Sequence, residues 1–83
     1  MKKVYYFPME IDAQTFLARV ARLLEVESVI PATDFRAGPL WDSLTAFALR
    51  VLIGQVRGRA LSASELDACR TVADLLQAAG VAT

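Results

Sequence analysis

A serine at the start of a long apolar helix is the residue of this chain best placed to carry chemistry. Leu40-Trp41-Asp42-Ser43-Leu44 follows a loop containing Gly38 and Pro39 and opens the apolar stretch 43–57. Asp42 and Ser43 are both good capping residues, so one of them can accept a hydrogen bond from the helix's free N–H groups while the serine hydroxyl stays at the rim of the fold. The positive end of the helix dipole favours an anion there by about 0.3–1 kcal/mol, so a phosphodiester built on Ser43 would sit in a receptive field. Taken alone, the Asp-Ser pair is more simply a helix cap.

Composition removes the competing chemistries. With no histidine and the single cysteine Cys69, neither a structural zinc site nor a Ser-His or Cys-His nucleophile pair can be assembled from this chain, and a serine without a base is a poor nucleophile. The expectation is no catalytic residue, no metal site and no enzyme: Ser43 reads as an attachment point acted on by another protein. Cys69 has no partner for an internal disulfide, consistent with a reducing, cytoplasmic setting, and reads as a small buried apolar residue. At 83 residues, 55% hydrophobic and 22% charged, the chain is one globular domain. Its formal charge of +0 gives no electrostatic footprint for nucleic acid.

Two further landmarks flank the serine. Thr33-Asp34-Phe35 lies in the loop after the first helix, and Arg70-Thr71-Val72-Ala73-Asp74-Leu75-Leu76 opens the last helix. Together with Asp42-Ser43-Leu44 they resemble the three landmarks of the acyl carrier protein family, from about Asp12 to Gly80. The resemblance implies an all-α four-helix bundle of acyl-carrier type, with three longer helices, one short helix and a long loop between helices 1 and 2. It implies that Ser43 carries a covalent 4'-phosphopantetheine arm, derived from coenzyme A, that holds acyl intermediates as thioesters. It further implies Asp42 as a recognition element for a phosphopantetheinyl transferase working with Mg²⁺, then an acyl- or aminoacyl-loading enzyme and a downstream synthase or transferase as later partners. The chain departs from many carriers in having Leu40 and Trp41 in place of a small, Gly-rich pair, and in lacking the usual acids on the second helix.

The elements that must position Ser43 are well signalled. Asp12 is a natural N-cap, Ile11 can staple to Phe16, and Phe16, Leu17, Val20, Leu23 and Leu24 recur at helical spacing, with Arg19 and Arg22 off the stripe. Glu25 and Glu27, two apart, do not share a helix face and read as solvated charges. Residues 28–41 read as a long ordered loop, with Thr33-Asp34 making local turn bonds, Phe35 plugging the core and Trp41 anchoring the loop through its ring. In the second helix Leu49, Leu52, Ile53 and Val56 form the core stripe. Leu44, Phe47, Ala48 and Val51 form a second apolar group, either turned inward or forming the surface that partners grip in this family. Trp41 and Arg50 are the other candidate partner contacts. Arg50 is expected to face outward. With Arg57 it leaves the helix basic, with no acid after Asp42, which predicts a poor substrate for general fatty-acid enzymes. Gly54 costs about 1 kcal/mol in a helix interior without an evident reason.

Ser62 and Glu65 predict a capping box for a short helix through about Cys69, and Thr71 caps the last helix, which stops at Gly80. The domain is expected over 12–80, with an extension 1–11 and a tail 81–83. In the extension, Val4-Tyr5-Tyr6-Phe7 before Pro8 is too short for a signal peptide or a membrane span and is expected to fold back over apolar surface. The expectation is a monomeric, stand-alone acyl carrier of a fatty-acid, polyketide or other specialised pathway. The alternatives are an aminoacyl or peptidyl carrier, and an unmodified helical protein-interaction module.

Overall fold

A computed structural model describes residues 11–38 and 40–81. The aromatic extension before residue 11 therefore lies outside the described residues. Four helices follow one another: α1 (Ala13–Leu24), α2 (Ser43–Arg57), α3 (Ala63–Asp67) and α4 (Val72–Ala79). The all-α bundle of three longer helices and one short one is as expected, with α3 ending at Asp67 rather than near Cys69.

Local chemistry explains each start and stop. Asp12 Oδ1 accepts from Thr15 N–H at 2.8 Å to open α1. Ser62 and Glu65 exchange both bonds of a capping box at α3, as the S-x-x-E spacing requires. At α4 the Asp74 carboxylate reaches back to the N–H groups of Thr71 and Arg70, 3.1 and 2.8 Å away. Gly58 and Gly80 end α2 and α4 at φ 83° and 74°, where a Cβ would be strained. Glu25 does the same for α1 at φ 58°, an unusual conformation for a residue with a side chain, held by the Val26 N–H bonding back to Ala21 O at 3.0 Å.

The core sits around α2, which packs against each of the other three helices. Phe16 and Val20 of α1, Leu49, Ile53 and Val56 of α2, Leu66 of α3, and Val72, Leu75 and Leu76 of α4 are buried, and Phe35 enters the same core from the loop. Leu17, Leu23 and Leu24, expected in the α1 stripe, pack at the rim of the core, and Ala21 takes a buried place. Gly54 faces the α2–α3 connection: a Cβ built on it would stand 3.4 Å from Arg59 O and 3.5 Å from Ala60 Cα. A methyl group there would make ordinary contact, so the passing connection confines this position to a small residue without requiring glycine.

The loop between α1 and α2 is fixed by backbone bonds to α4. Val72 and Ala73 N–H, left over at the helix start, donate to Thr33 O at 2.9 Å and Pro31 O at 2.8 Å. Asp34 pairs with Thr71 in an isolated bridge. The turn bonds expected of Thr33-Asp34 are present: Ile30 N–H donates to Thr33 Oγ1 and Arg36 N–H to Asp34 Oδ1. Two of the three sequence landmarks are thus joined in space.

The serine junction at the head of helix 2

Of the two capping candidates, Asp42 takes the role. Its backbone is extended (φ −151°, ψ −179°), and its Oδ1 accepts from Thr45 N–H at 2.8 Å and from the Thr45 hydroxyl at 2.9 Å. The Thr45 N–H bond first, and the Thr45 hydroxyl next, hold the Asp42 carboxyl below its ordinary value of 3.8. Ser43 is left as the first helical residue, exposed, with a hydroxyl that makes no hydrogen bond among the described residues. Capping by Asp42 is what releases it.

Behind the serine the loop is anchored by aromatics. Trp41 is half-buried and meets the buried Phe35 edge to face, ring centroids 5.5 Å apart. Leu40 and Trp41, the bulky pair before Asp42, line a cavity of about 370 Å³ together with Val29 and Phe35. Arg36, which no sequence pattern singled out, lies over both rings, its guanidinium carbon 4.8 Å from the Phe35 centroid and 5.9 Å from that of Trp41. Its Nη1 donates to Cys69 O at 2.6 Å and its Nη2 to Leu66 O at 2.7 Å. A cation between two aromatics in sequence hints at stacking, but nothing in the sequence marks the two distant carbonyls.

The second apolar group of α2 is at the surface. Leu44 is 75% exposed, Phe47 57% and Val51 40%, while Ala48 is half-buried. Of the two readings open for this group, outward orientation is the one found. Phe47, Ala48 and Val51 form one wall of an open groove of about 780 Å³, with Thr15, Arg19, Arg22 and Leu23 of α1 opposite. Among the described residues no acidic side chain lines it.

Two expectations about charge are corrected. Arg50 does not simply face outward: it is half-buried, its Nε donates to Leu61 O at 2.9 Å, and its guanidinium stands 6.0 Å from the Phe47 ring. Arg57 is still more occupied. Its side chain is only 10% exposed, pairs with Glu65 at 3.1 Å, and donates to the carbonyls of Arg59, Ala60 and Ala78. Both arginines donate to carbonyls of the turn after α2, at Arg59, Ala60 and Leu61, which lie outside the helix's own ladder. The exposed cations near the apolar face are instead Arg19 and Arg22 of α1.

Cys69 is buried, and burial together with the nearby Asp74 carboxylate pushes its thiol up, so it is inert at neutral pH. Among the described residues there is no cluster of metal-ligating side chains, and no helix is long and apolar enough to cross a membrane.

Comparison with known proteins places this geometry. The family model described as "Phosphopantetheine attachment site" matches residues 14–79, which takes in α1, the loop, the Asp42-Ser43 junction and α4. No curated protein and no solved structure matches the chain. The residues fit a covalent arm: an exposed hydroxyl at the first position of a helix, after a loop bonded to α4, in a chain without histidine. The chain belongs to the phosphopantetheine-binding carrier family, whose domain is the attachment site for covalent 4'-phosphopantetheine.

Proposed function

We propose that this chain is an acyl carrier protein and that Ser43 is the residue to which the arm is joined. The observation that carries this reading is the exposed, unbonded Ser43 hydroxyl at the first position of α2, within the family match. When bound, the arm supplies a terminal thiol on which acyl groups are held as thioesters. Ser43 supplies the oxygen of the new phosphoester bond; the bond that breaks is a P–O bond in the pyrophosphate of coenzyme A, and adenosine 3',5'-bisphosphate leaves. The neighbouring Asp42 carboxylate is taken up by Thr45, and in this reading a base of the phosphopantetheinyl transferase takes the serine proton. Asp42 keeps the serine free by capping α2 itself, and its low-pKa carboxylate offers the transferase a charged recognition point beside the reacting hydroxyl.

Leu44, Phe47, Ala48 and Val51, with Trp41 and the Arg50 edge of Phe47, form the surface for the loading enzyme and the downstream synthase or transferase. The exposure of Leu44, Phe47 and Val51 supports this use. A cytoplasmic setting accords with the single, buried and unpaired cysteine.

The test is intact mass after incubation with coenzyme A, Mg²⁺ and a promiscuous transferase. Wild type is expected to gain one arm, and Ser43→Ala, which removes an exposed hydroxyl, is expected to fold normally and gain none. An arm on the alanine variant would overturn the assignment of Ser43. A wild type left unloaded under conditions that load other carriers would leave an unmodified helical interaction module as the better reading. Loading followed by selective aminoacylation would favour the aminoacyl or peptidyl carrier.

A further inference from the structure

We infer that Arg36 is a positioning residue for the serine: it ties the loop 34–41 to the end of α3, so that Ser43 is offered to the modifying enzyme in one orientation. The inference rests on Ser43 being the attachment residue. Upstream, residues 31–34 are held by backbone bonds to the start of α4. Between 35 and 41 the backbone bonds are local, Ala37 N–H to Asp34 O and Trp41 N–H to Gly38 O. Among the described residues the Arg36 guanidinium is therefore the one long-range polar tether of this part of the loop, reaching Leu66 O and Cys69 O across 30 and 33 residues of sequence. The same planar group lies over Phe35 and Trp41, and Trp41 is two residues from Ser43.

Arginine is specifically suited to this place. Its fork gives two N–H groups to two carbonyls while its face stacks on the rings, and lysine can offer neither the paired geometry nor the plane. Asp67 adds little, since its oxygen is 3.9 Å away on a side chain 82% exposed. Phe35 is buried in one cluster with core residues of all four helices, so the bundle is expected to survive loss of the tether while Trp41 and the approach to Ser43 loosen.

A loosened loop lowers the fraction of carrier that is competent to dock and leaves the chemical step alone. If one molecule in ten retains the competent geometry, the apparent KM for the carrier rises about tenfold with kcat little changed. The experiment compares wild type, Arg36→Met and Arg36→Lys in loading by the promiscuous transferase, at temperatures where circular dichroism shows all three folded. Trp41, the only tryptophan, reports the loop by its emission, and amide exchange at Ser43 reports the junction. Expected are a red-shifted Trp41, faster Ser43 exchange and a raised KM in Arg36→Met, with lysine failing to restore them. Wild-type KM and emission in a folded Arg36→Met would overturn the proposal. Should Arg36→Met not fold, Arg36→Lys, which keeps the stem and the charge, is read by the same measures, and a wild-type KM there overturns it equally. Emission and exchange need no transferase. Failure of wild type to load would remove the attachment reading, while an unshifted Trp41 in the variants would independently remove the tether.

Discussion

At the residue scale the junction depends on a division of labour between neighbours. Asp42 caps and Ser43 is left free, because the carboxylate, one residue earlier, has the reach to satisfy Thr45 N–H. The Asp42 carboxyl titrates below its ordinary value in the folded chain. A depressed folded pKa means stabilisation that is present above the unfolded pKa and is lost as pH falls through the folded value. Asp12 and Asp74 behave alike, through bonds from Thr15 and from Arg70 and Thr71, and so does Glu65, through Ser62 and Arg57. Stability is therefore expected to be level at neutral pH and to decline below about pH 4, where unfolded carboxyls begin to hold protons. Asn at position 42 caps nearly as well without titrating. Urea midpoints between about pH 7 and pH 3 should fall less steeply for Asp42→Asn than for wild type, and identical slopes would show that this cap is not formed.

At the element scale α2 carries two apolar faces, one buried in the core and one exposed. Leu49 and Ile53 are completely buried, whereas Phe47 is more than half exposed. Removing buried aliphatic atoms leaves a cavity, so Ile53→Ala is expected to cost about 2–5 kcal/mol. Phe47→Ala, which takes atoms mainly from solvent, is expected to cost no more than about 1 kcal/mol while reducing turnover by partner enzymes. Denaturant melts of the two variants decide this directly, and a loss for Phe47→Ala equal to that for Ile53→Ala would place Phe47 in the core. The C-terminal end of the helix depends on Arg57. It donates to three carbonyls and to Glu65, with only the Ala78 bond partly buried, so Arg57→Ala is expected to destabilise by about 1 kcal/mol, measured in the same melts.

At the scale of the whole molecule, charge is unevenly disposed although the formal total is +0. The groove between α1 and α2 has Arg19 and Arg22 on one wall, Phe47 and Val51 on the other, and no acid lining it among the described residues. Charge selection of partners is therefore expected to work through α1, since Arg50 and Arg57 are engaged within the domain. Complementary surface charge acts chiefly on encounter rate and is screened beyond roughly 8 Å at physiological salt. Arg19→Glu with Arg22→Glu should fold like wild type, gain rate with general fatty-acid enzymes that prefer acidic carriers, and lose that gain as salt rises. Rates equal to wild type at low salt would show that the groove's charge does not discriminate.

Much of this fold was legible because its signals are local. Asp12, Ser62 with Glu65, and Asp74 cap helices through bonds that span three or four residues. The stripes of Phe16 and Val20, of Leu49, Ile53 and Val56, and of Leu75 and Leu76 follow from the helical repeat alone. The helix start at Asp42-Ser43, the buried Phe35 and the loop bonds of Thr33 and Asp34 were open to the same reading. What only the tertiary structure decided is where the arginines go and what the tight places need. Arg36, Arg50 and Arg57 end on the backbone carbonyls of Leu66, Cys69, Leu61, Arg59, Ala60 and Ala78. Gly54 is small because the chain at Arg59 and Ala60 passes over it. Every residue has a carbonyl, so no side-chain type or spacing marks the one that will lack a donor; that depends on how the helices end and pack, and it is settled only when they meet.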